Sequence, residues 1–266
     1  MRWPKSPDKA QRGRVMGIIA EIYRRAFATA RHVPLLLILP AAAELAQHAV
    51  EIRLGLYAGN AAAAVSPLRL ILGAVKVVAI LATLLVALRR WRARYEALVL
   101  RPGRRLIAGF LTILLVQVGG ELLLVVIGSG IARLLHAGRA GHAVAVVAPV
   151  ILWLFLVGAL IPWYVGLLTE DRMMTLRRAW GAMRSRLSWA FGVQLAGYLP
   201  LLIAHYLLGY GAMGRRATTV WLLMIVDAGV VGLLALAIGS TYYALYRSAR
   251  FQKRTDGAFR AFHSPT

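Results

Sequence analysis

The stretch Thr219–Leu245 reads TVWLLMIVDAGVVGLLALAIGSTYYAL, and it decides the fold. It contains one charged side chain, Asp227, in 27 residues. A helix of that length is about 40 Å long, which exceeds the roughly 30 Å hydrocarbon core of a bilayer. A surface helix of a soluble protein would instead carry polar residues along one side. The stretch therefore predicts a transmembrane helix.

Five further stretches have the same apolar character, and the composition agrees with them. Residues AVILMFWYC make up 60% of the 266 positions, only 16% are charged, and the mean hydropathy is +0.67. Soluble domains are about 45–50% apolar and about 25% charged. We predict an all-α polytopic membrane protein with six transmembrane helices. The other five are Val33–Val50 (with a continuation toward Tyr57 left open), Pro67–Leu88, Leu106–Ile131, Ala143–Leu168 and Trp189–Leu208.

The basic residues are distributed unevenly between the two sides of these spans. The net charge is +22, from 32 Lys and Arg against 10 Asp and Glu. The termini and the even-numbered connections hold 25 of the basic residues, whereas the odd-numbered connections hold 6. Cytoplasmic segments of membrane proteins are enriched in Lys and Arg. The asymmetry predicts that both termini are cytoplasmic, and it gives no reason to expect a nucleic-acid partner.

The remaining organisation follows from the same counts. We predict a basic tail over residues 1–14, a single six-span domain over 15–250 and a cytoplasmic tail over 251–266. Arg outnumbers Lys by 28 to 4, a bias typical of a GC-rich bacterial genome, so the expected location is a bacterial inner membrane. The chain has no Cys, which excludes disulfides and thiolate metal sites.

Two basic amphipathic segments, residues 15–31 and 171–187, precede the first and fifth spans. In the second segment, apolar residues recur at helical spacing, from Met173 and Leu176 to Leu187. In the first, Ile22 and Ala26 belong to the apolar face, and Thr29 lies opposite. We predict two cytoplasmic interfacial helices that contact anionic lipid headgroups, or alternatively dock a protein partner. Their marker residues are Arg24, Arg25, Arg177, Arg178 and Trp180.

The second amphipathic segment also carries a family resemblance. Thr169–Gly192 reads TEDRMMTLRRAWGAMRSRLSWAFG. It resembles the signature of a bacterial six-span membrane family of largely unknown function, which is similar to the membrane domain of some glycerophosphodiester phosphodiesterases. Acidic residues at the end of span four, the Arg pair and two Trp fit that signature, whereas Ala179 and Ser185 replace its usual Ser and Gly. The resemblance implies a six-span layout but no activity.

Ionisable residues inside the spans are the strongest pointers to function. A charge at the bilayer centre costs about 2.5–3.5 kcal/mol on insertion scales, so such residues face the bundle or water. The predicted orientation places them in the outer half of the membrane, with Gln47 and His48 at similar depth. The predicted polar cluster consists of Glu44, Lys76, Glu121, Asp227, Gln117 and His205. We expect Lys76 to pair with one of the three carboxylates, either as a structural pair or as part of a transport pathway.

Motifs of soluble enzymes do not support catalysis. Gly209–Gly214 spells G-x-G-x-x-G, but it follows a membrane helix and no strand, which excludes dinucleotide binding. His136 and His142 flank a Gly-rich loop without carboxylate company, and we predict no metal, cofactor or catalytic residue. The sequence favours a non-enzymatic membrane protein with an accessory or scaffold role in the envelope. The alternative is a small transporter or channel that uses a periplasm-facing polar cluster.

Overall fold

The computed structural model describes residues 7–92, 103–134, 136 and 138–262 of the chain. About 90% of it is helical, and the described part contains no strand, which confirms the all-α class. Within these residues, six helices are long and apolar enough to cross a membrane. The α-helices of the described residues are α1 (Pro7–His32), α2 (Leu35–Arg53), α3 (Pro67–Arg92), α4 (Arg104–Leu134), α5 (Arg139–Leu168), α6 (Leu176–Met183), α7 (Leu187–Ala212) and α8 (Ala217–Phe262).

The helix bounds extend beyond the apolar stretches that predict them. The helix α1 begins at Pro7, inside the predicted N-terminal tail, and α8 continues to Phe262 through most of the predicted C-terminal tail. Hydropathy marks only the part of a helix that suits lipid, so a polar continuation of the same helix gives no such signal. Residues 1–6, 93–102 and 263–266 of the predicted basic segments lie outside the described residues.

The chain divides into two compact units. Unit 1 consists of Met1–Val99 and Val193–Thr241, and unit 2 consists of Leu100–Gly192 and Tyr242–Thr266. Unit 1 therefore contains α1 to α3, most of α7 and the first half of α8. Unit 2 contains α4 to α6, the first turns of α7 and the rest of α8.

In unit 1, small residues let the helices approach closely. A Cβ atom at Gly232 of α8 would lie only 2.5 Å from the carbonyl oxygen of Leu37 in α2, and one at Gly197 of α7 would overlap Thr241. Gly at such a position allows two backbones to pack without steric conflict, a common arrangement in membrane helix pairs. These contacts fix α2 and α7 against α8, and the residues of the site described below project from these three helices and from α3.

The helix α1 packs its apolar face against the other helices of unit 1. Ile22 and Ala26 are fully buried, and Ala26 belongs to a core cluster with residues of α2, α3 and α8. The expectation that Thr29 lies on the polar face is wrong, since it is 6% exposed and accepts a 3.0 Å hydrogen bond from Trp91 Nε1. Arg25 is half-buried, with its guanidinium 5.8 Å from the Trp91 ring, whereas Arg24 is exposed. Protein rather than lipid therefore covers this part of α1.

In unit 2, the chain reverses between α5 and α6 around Asp171. This carboxylate accepts a hydrogen bond from the Tyr246 hydroxyl and lies 3.4 Å from Arg250 Nη1, both in the last part of α8. Gly166 makes room for the turn, since a Cβ atom there would lie 2.8 Å from Met174 Cβ. The acidic residue of the family-like signature thus has a structural role at this reversal.

The helix α6 leaves large apolar side chains uncovered. Thr175 caps it by accepting a hydrogen bond from the backbone amide of Arg178. Ala179 and Met183 are buried, whereas Met173, Leu176 and Trp180 are exposed together with the charged Arg177. Arg178 is half-buried and donates a 3.2 Å hydrogen bond to the Met173 carbonyl. Exposed apolar side chains beside arginines are the pattern of a helix at a lipid–water interface.

Candidate functional site

Unit 1 contains a cavity of about 340 Å³ whose lining is rich in ionisable side chains. It lies between α2, α3, α7 and α8, near the end where α2 connects to α3 and α7 connects to α8. The Gly214 amide donates a 2.8 Å hydrogen bond to the Tyr57 carbonyl, which joins these two connections. The charged or titratable lining residues are Glu44, His48, Glu51, Tyr57, Arg69, Lys76, His205, Tyr206, Tyr210 and Asp227.

The position of each residue along its helix explains why these side chains meet. Glu44 precedes the end of α2 at Arg53 by nine residues, and Lys76 follows the start of α3 at Pro67 by nine. At 1.5 Å per residue, both lie about 14 Å from the connection between the two helices. Asp227 lies at a similar depth, ten residues after the start of α8. Two antiparallel neighbours and α8 thus bring these charges to one level.

His48 lies between three carboxylates. Its Nε2 atom is 2.8 Å from Asp227 Oδ2 and 3.1 Å from Glu44 Oε1, and its Nδ1 atom is 2.8 Å from Glu51 Oε2. His48 is 4% exposed, so water does not replace these partners. Because each ring nitrogen faces carboxylate oxygens, both nitrogens can donate only when the ring is the doubly protonated imidazolium. The arrangement therefore favours the imidazolium, with its positive charge, at the centre of the cluster.

Glu51 is held by donors from three directions. Gln47 Nε2 donates to its Oε1 atom at 2.9 Å, Arg69 Nε donates to the same atom at 2.7 Å, and the Tyr57 hydroxyl donates to Oε2 at 2.8 Å. Burial, with the nearby Glu51 carboxylate, raises the pKa of the Tyr57 phenol above its ordinary value. Tyr57 therefore keeps its proton and remains a donor. These contacts fix the end of α2 and the segment that follows it.

Glu44 pairs with Lys76 inside the cavity. Lys76 Nζ lies 2.8 Å from Glu44 Oε2, so the expected pairing of Lys76 with a carboxylate is confirmed. This contact is an ion pair, and the other carboxylate oxygen, Glu44 Oε1, lies 3.1 Å from His48 Nε2. Glu44 is 1% exposed, whereas the side chain of Lys76 is 20% exposed. The carboxylate is thus fixed and deeply buried, and the ammonium group has access to the cavity.

Asp227 completes the cluster with His205. His205 Nδ1 is 2.8 Å from Asp227 Oδ1 and 2.9 Å from Oδ2, and Asp227 itself is fully buried. Glu44 and Asp227 each offer a carboxylate oxygen, and His205 offers a ring nitrogen. These three atoms lie within 4.8 Å of one another. Counting the His48 imidazolium, the lining balances three carboxylates with three cations. The lining therefore has no excess of negative charge, because Arg69 and His48 face the cavity in addition to Lys76.

The structure brings together four of the six residues predicted for the polar cluster, namely Glu44, Lys76, His205 and Asp227. Glu121 and Gln117 lie on α4, which belongs to unit 2, whereas the cavity lies in unit 1. The sequence prediction missed Glu51, Arg69 and Tyr57. Glu51 continues the helical face of Gln47 and His48, and this spacing was the available signal. Nothing in the spacing of Tyr57 or Arg69 shows that the connecting segment folds back over the cluster.

No protein-family model, curated protein or solved structure matches this chain. The resemblance of Thr169–Gly192 to the six-span family therefore stays a prediction.

Proposed function

We propose that the chain is a non-enzymatic, multi-pass membrane protein that carries a small cationic solute, as a transporter or channel. The observation that supports this proposal most is the charged cavity, which lies among helices apolar enough to span a membrane. Ionisable residues inside membrane spans are costly to insert, and in membrane proteins they commonly mark solute and ion pathways. A bundle that served only as a scaffold would have no need for a charged cavity of this size.

The proposed orientation gives the cavity a side of the membrane. If both termini are cytoplasmic, the α2–α3 and α7–α8 connections face the periplasm of a bacterial inner membrane. The cavity lies near these connections, so its mouth would receive solute from outside. Tyr206 and Tyr210 contribute exposed aromatic surface to the lining. Aromatic faces attract cations, which suits a positively charged solute.

Transport can be tested by recording charge movement with the purified full chain in proteoliposomes on a solid-supported membrane. The probes are Na⁺, K⁺, Mn²⁺, Zn²⁺ and choline, each perfused against an impermeant salt. We expect a transient current with at least one probe, and we expect Glu44→Gln and Asp227→Asn to abolish it.

The matched control is Glu170→Gln, an acid-to-amide change in unit 2, which should leave the current unchanged. Absence of current for every probe, with protein that elutes as a single folded species, would refute the proposed transport.

A second proposal concerns α6. Its exposed Leu176 and Trp180 beside Arg177, with the exposed Met173 of the preceding turn, favour an interfacial helix that binds anionic headgroups, in keeping with an accessory role at the membrane surface. The test is thermal stability in nanodiscs with and without phosphatidylglycerol. Anionic lipid should raise the melting midpoint of the wild type more than that of Arg177→Ala. An equal rise in both proteins would contradict the proposal, and Arg133→Ala on α4 is the matched control.

A further inference from the structure

We infer that Glu44, His205 and Asp227 form a binding site for a divalent transition-metal ion. This inference rests on the proposed function and names the class of solute that the protein would carry. The three residues come from α2, α7 and α8, and their ligand atoms already lie within 4.8 Å of one another. A metal ion with bonds of about 2.1 Å holds tetrahedral ligands about 3.4 Å apart. Small side-chain rotations would close this difference, because the cavity leaves free space beside all three groups.

The kind of ligand atoms selects the class of metal. Two carboxylates supply negative charge that attracts a divalent ion once Lys76 moves away from Glu44, and an imidazole nitrogen is a good ligand for Zn²⁺, Fe²⁺ and Co²⁺. Ca²⁺ and Mg²⁺ prefer oxygen ligands alone, so the histidine disfavours them. The absence of Cys from the chain leaves these N and O donors as the available set.

One unsatisfied oxygen atom in the same cavity is an independent sign that a polar partner binds there. Among the described residues, Gln47 Oε1 has no hydrogen-bond partner although Gln47 is only 6% exposed and lines the same cavity. Buried polar atoms without partners are uncommon, because each one costs free energy. A donor from the cavity, such as a water molecule bound to the metal ion, would satisfy Gln47 Oε1.

Two neighbouring cations would assist metal binding. His48 is placed to orient the ligands, and Lys76 is a cation that the metal ion would displace. His48 Nε2 holds Glu44 Oε1 and Asp227 Oδ2, which orients both carboxylates as an outer-shell donor does in known metal sites. Lys76 Nζ occupies the space in front of Glu44 Oε2. Because its side chain is long and partly exposed, it can swing toward the membrane surface when a metal ion enters.

The experiment is a binding measurement on the purified full chain in detergent, without a polyhistidine tag. Co²⁺ is titrated with its visible absorption as readout, and Zn²⁺ is titrated by calorimetry. We expect one saturable site per chain, and more than a tenfold loss of affinity in His205→Ala and Glu44→Gln. Lys76→Met should bind at least tenfold more tightly, because it removes the competing ammonium. This gain separates a ligand site from a loss caused by misfolding.

His136→Ala is the matched control, since it removes an exposed histidine of unit 2 and should leave the affinity unchanged. Absence of a saturable site in the wild type, or Co²⁺ spectra that are the same in His205→Ala, would overturn the inference. The two proposals fail differently. Currents with Na⁺ or choline but no metal binding would overturn the metal site alone. Metal binding without any current would overturn transport alone.

Discussion

At the scale of a single residue, His48 connects the carboxylates of the charged cavity to one another. Its two nitrogens contact carboxylates from α2 and α8, so the ring links the two helices inside an apolar environment. Removal of one partner from a buried ionic group leaves the others uncompensated, which costs several kcal/mol. The same side chain therefore contributes to stability and keeps Glu44 and Asp227 in place.

We expect His48→Ala to lower the stability of the protein by about 3 kcal/mol, because Glu51 and Asp227 lose a shared cationic donor. The measurement is the thermal midpoint of the purified chain in detergent. Asp227→Asn in the same background should recover part of the loss, since it removes one of the uncompensated charges. His136→Ala, on an exposed turn, should have a midpoint close to that of the wild type. Strictly additive effects of His48→Ala and Asp227→Asn would contradict the coupling.

Residues inside the spans were the predictable part of this site. A charged residue in an apolar run is conspicuous, so Glu44, Lys76 and Asp227 could be singled out from the sequence. The predicted orientation of the spans placed all three at a similar depth in the membrane. Arg69 and Tyr57 lie outside the apolar runs, where polar residues are ordinary. Their role depends on the path of the connecting segment, through the Arg69 contact with the Ala64 carbonyl and the Tyr57 contact with Gly214. The local sequence pattern contains no information about these two contacts.

At the scale of elements, the contact between α2 and α8 sets the geometry of the cavity. Both helices contribute carboxylates, and Gly232 of α8 lies against the Leu37 carbonyl and the Ala41 side chain. Small residues of α8 four positions apart, such as Ala228 and Gly232, favour close helix packing, but their spacing does not identify the partner helix. Helix spans were predictable because hydropathy reports them directly, whereas helix partners follow from shape, which a single sequence does not display.

We expect Gly232→Ala to destabilise the protein by about 1–3 kcal/mol, because the added methyl group would lie 2.5 Å from the Leu37 carbonyl and push α2 away. The thermal midpoint in detergent measures this loss, and the Co²⁺ affinity should fall with it if α2 moves. Gly229→Ala is the matched control on the same helix, since no described atom lies within 4 Å of its Cβ position. Equal midpoints for the two variants would show that α2 and α8 do not pack in this way.

At the scale of the whole molecule, the proposed orientation would place the cavity mouth on the periplasmic side of the membrane. Unit 1 places its charged cavity beside the α2–α3 connection, in a chain whose cytoplasmic surfaces are predicted from the Lys and Arg count. Most of the +22 charge then belongs to the side opposite the cavity mouth. A cation approaching from the periplasm would meet few basic residues before it reached the carboxylates, which is favourable for its entry.

This orientation predicts the labelling of single cysteines, which the chain permits because it contains none of its own. Ala62→Cys lies in the exposed α2–α3 connection, and Gly181→Cys lies on the exposed side of α6. In intact bacterial cells with a permeable outer membrane, a membrane-impermeant maleimide should label Ala62→Cys at once. Gly181→Cys should react only after the inner membrane is opened, because α6 is predicted to be cytoplasmic. The unmodified chain is the blank for both. The reverse pattern would place the cavity mouth in the cytoplasm and overturn uptake from the periplasm, since the site would then receive its cation from inside the cell.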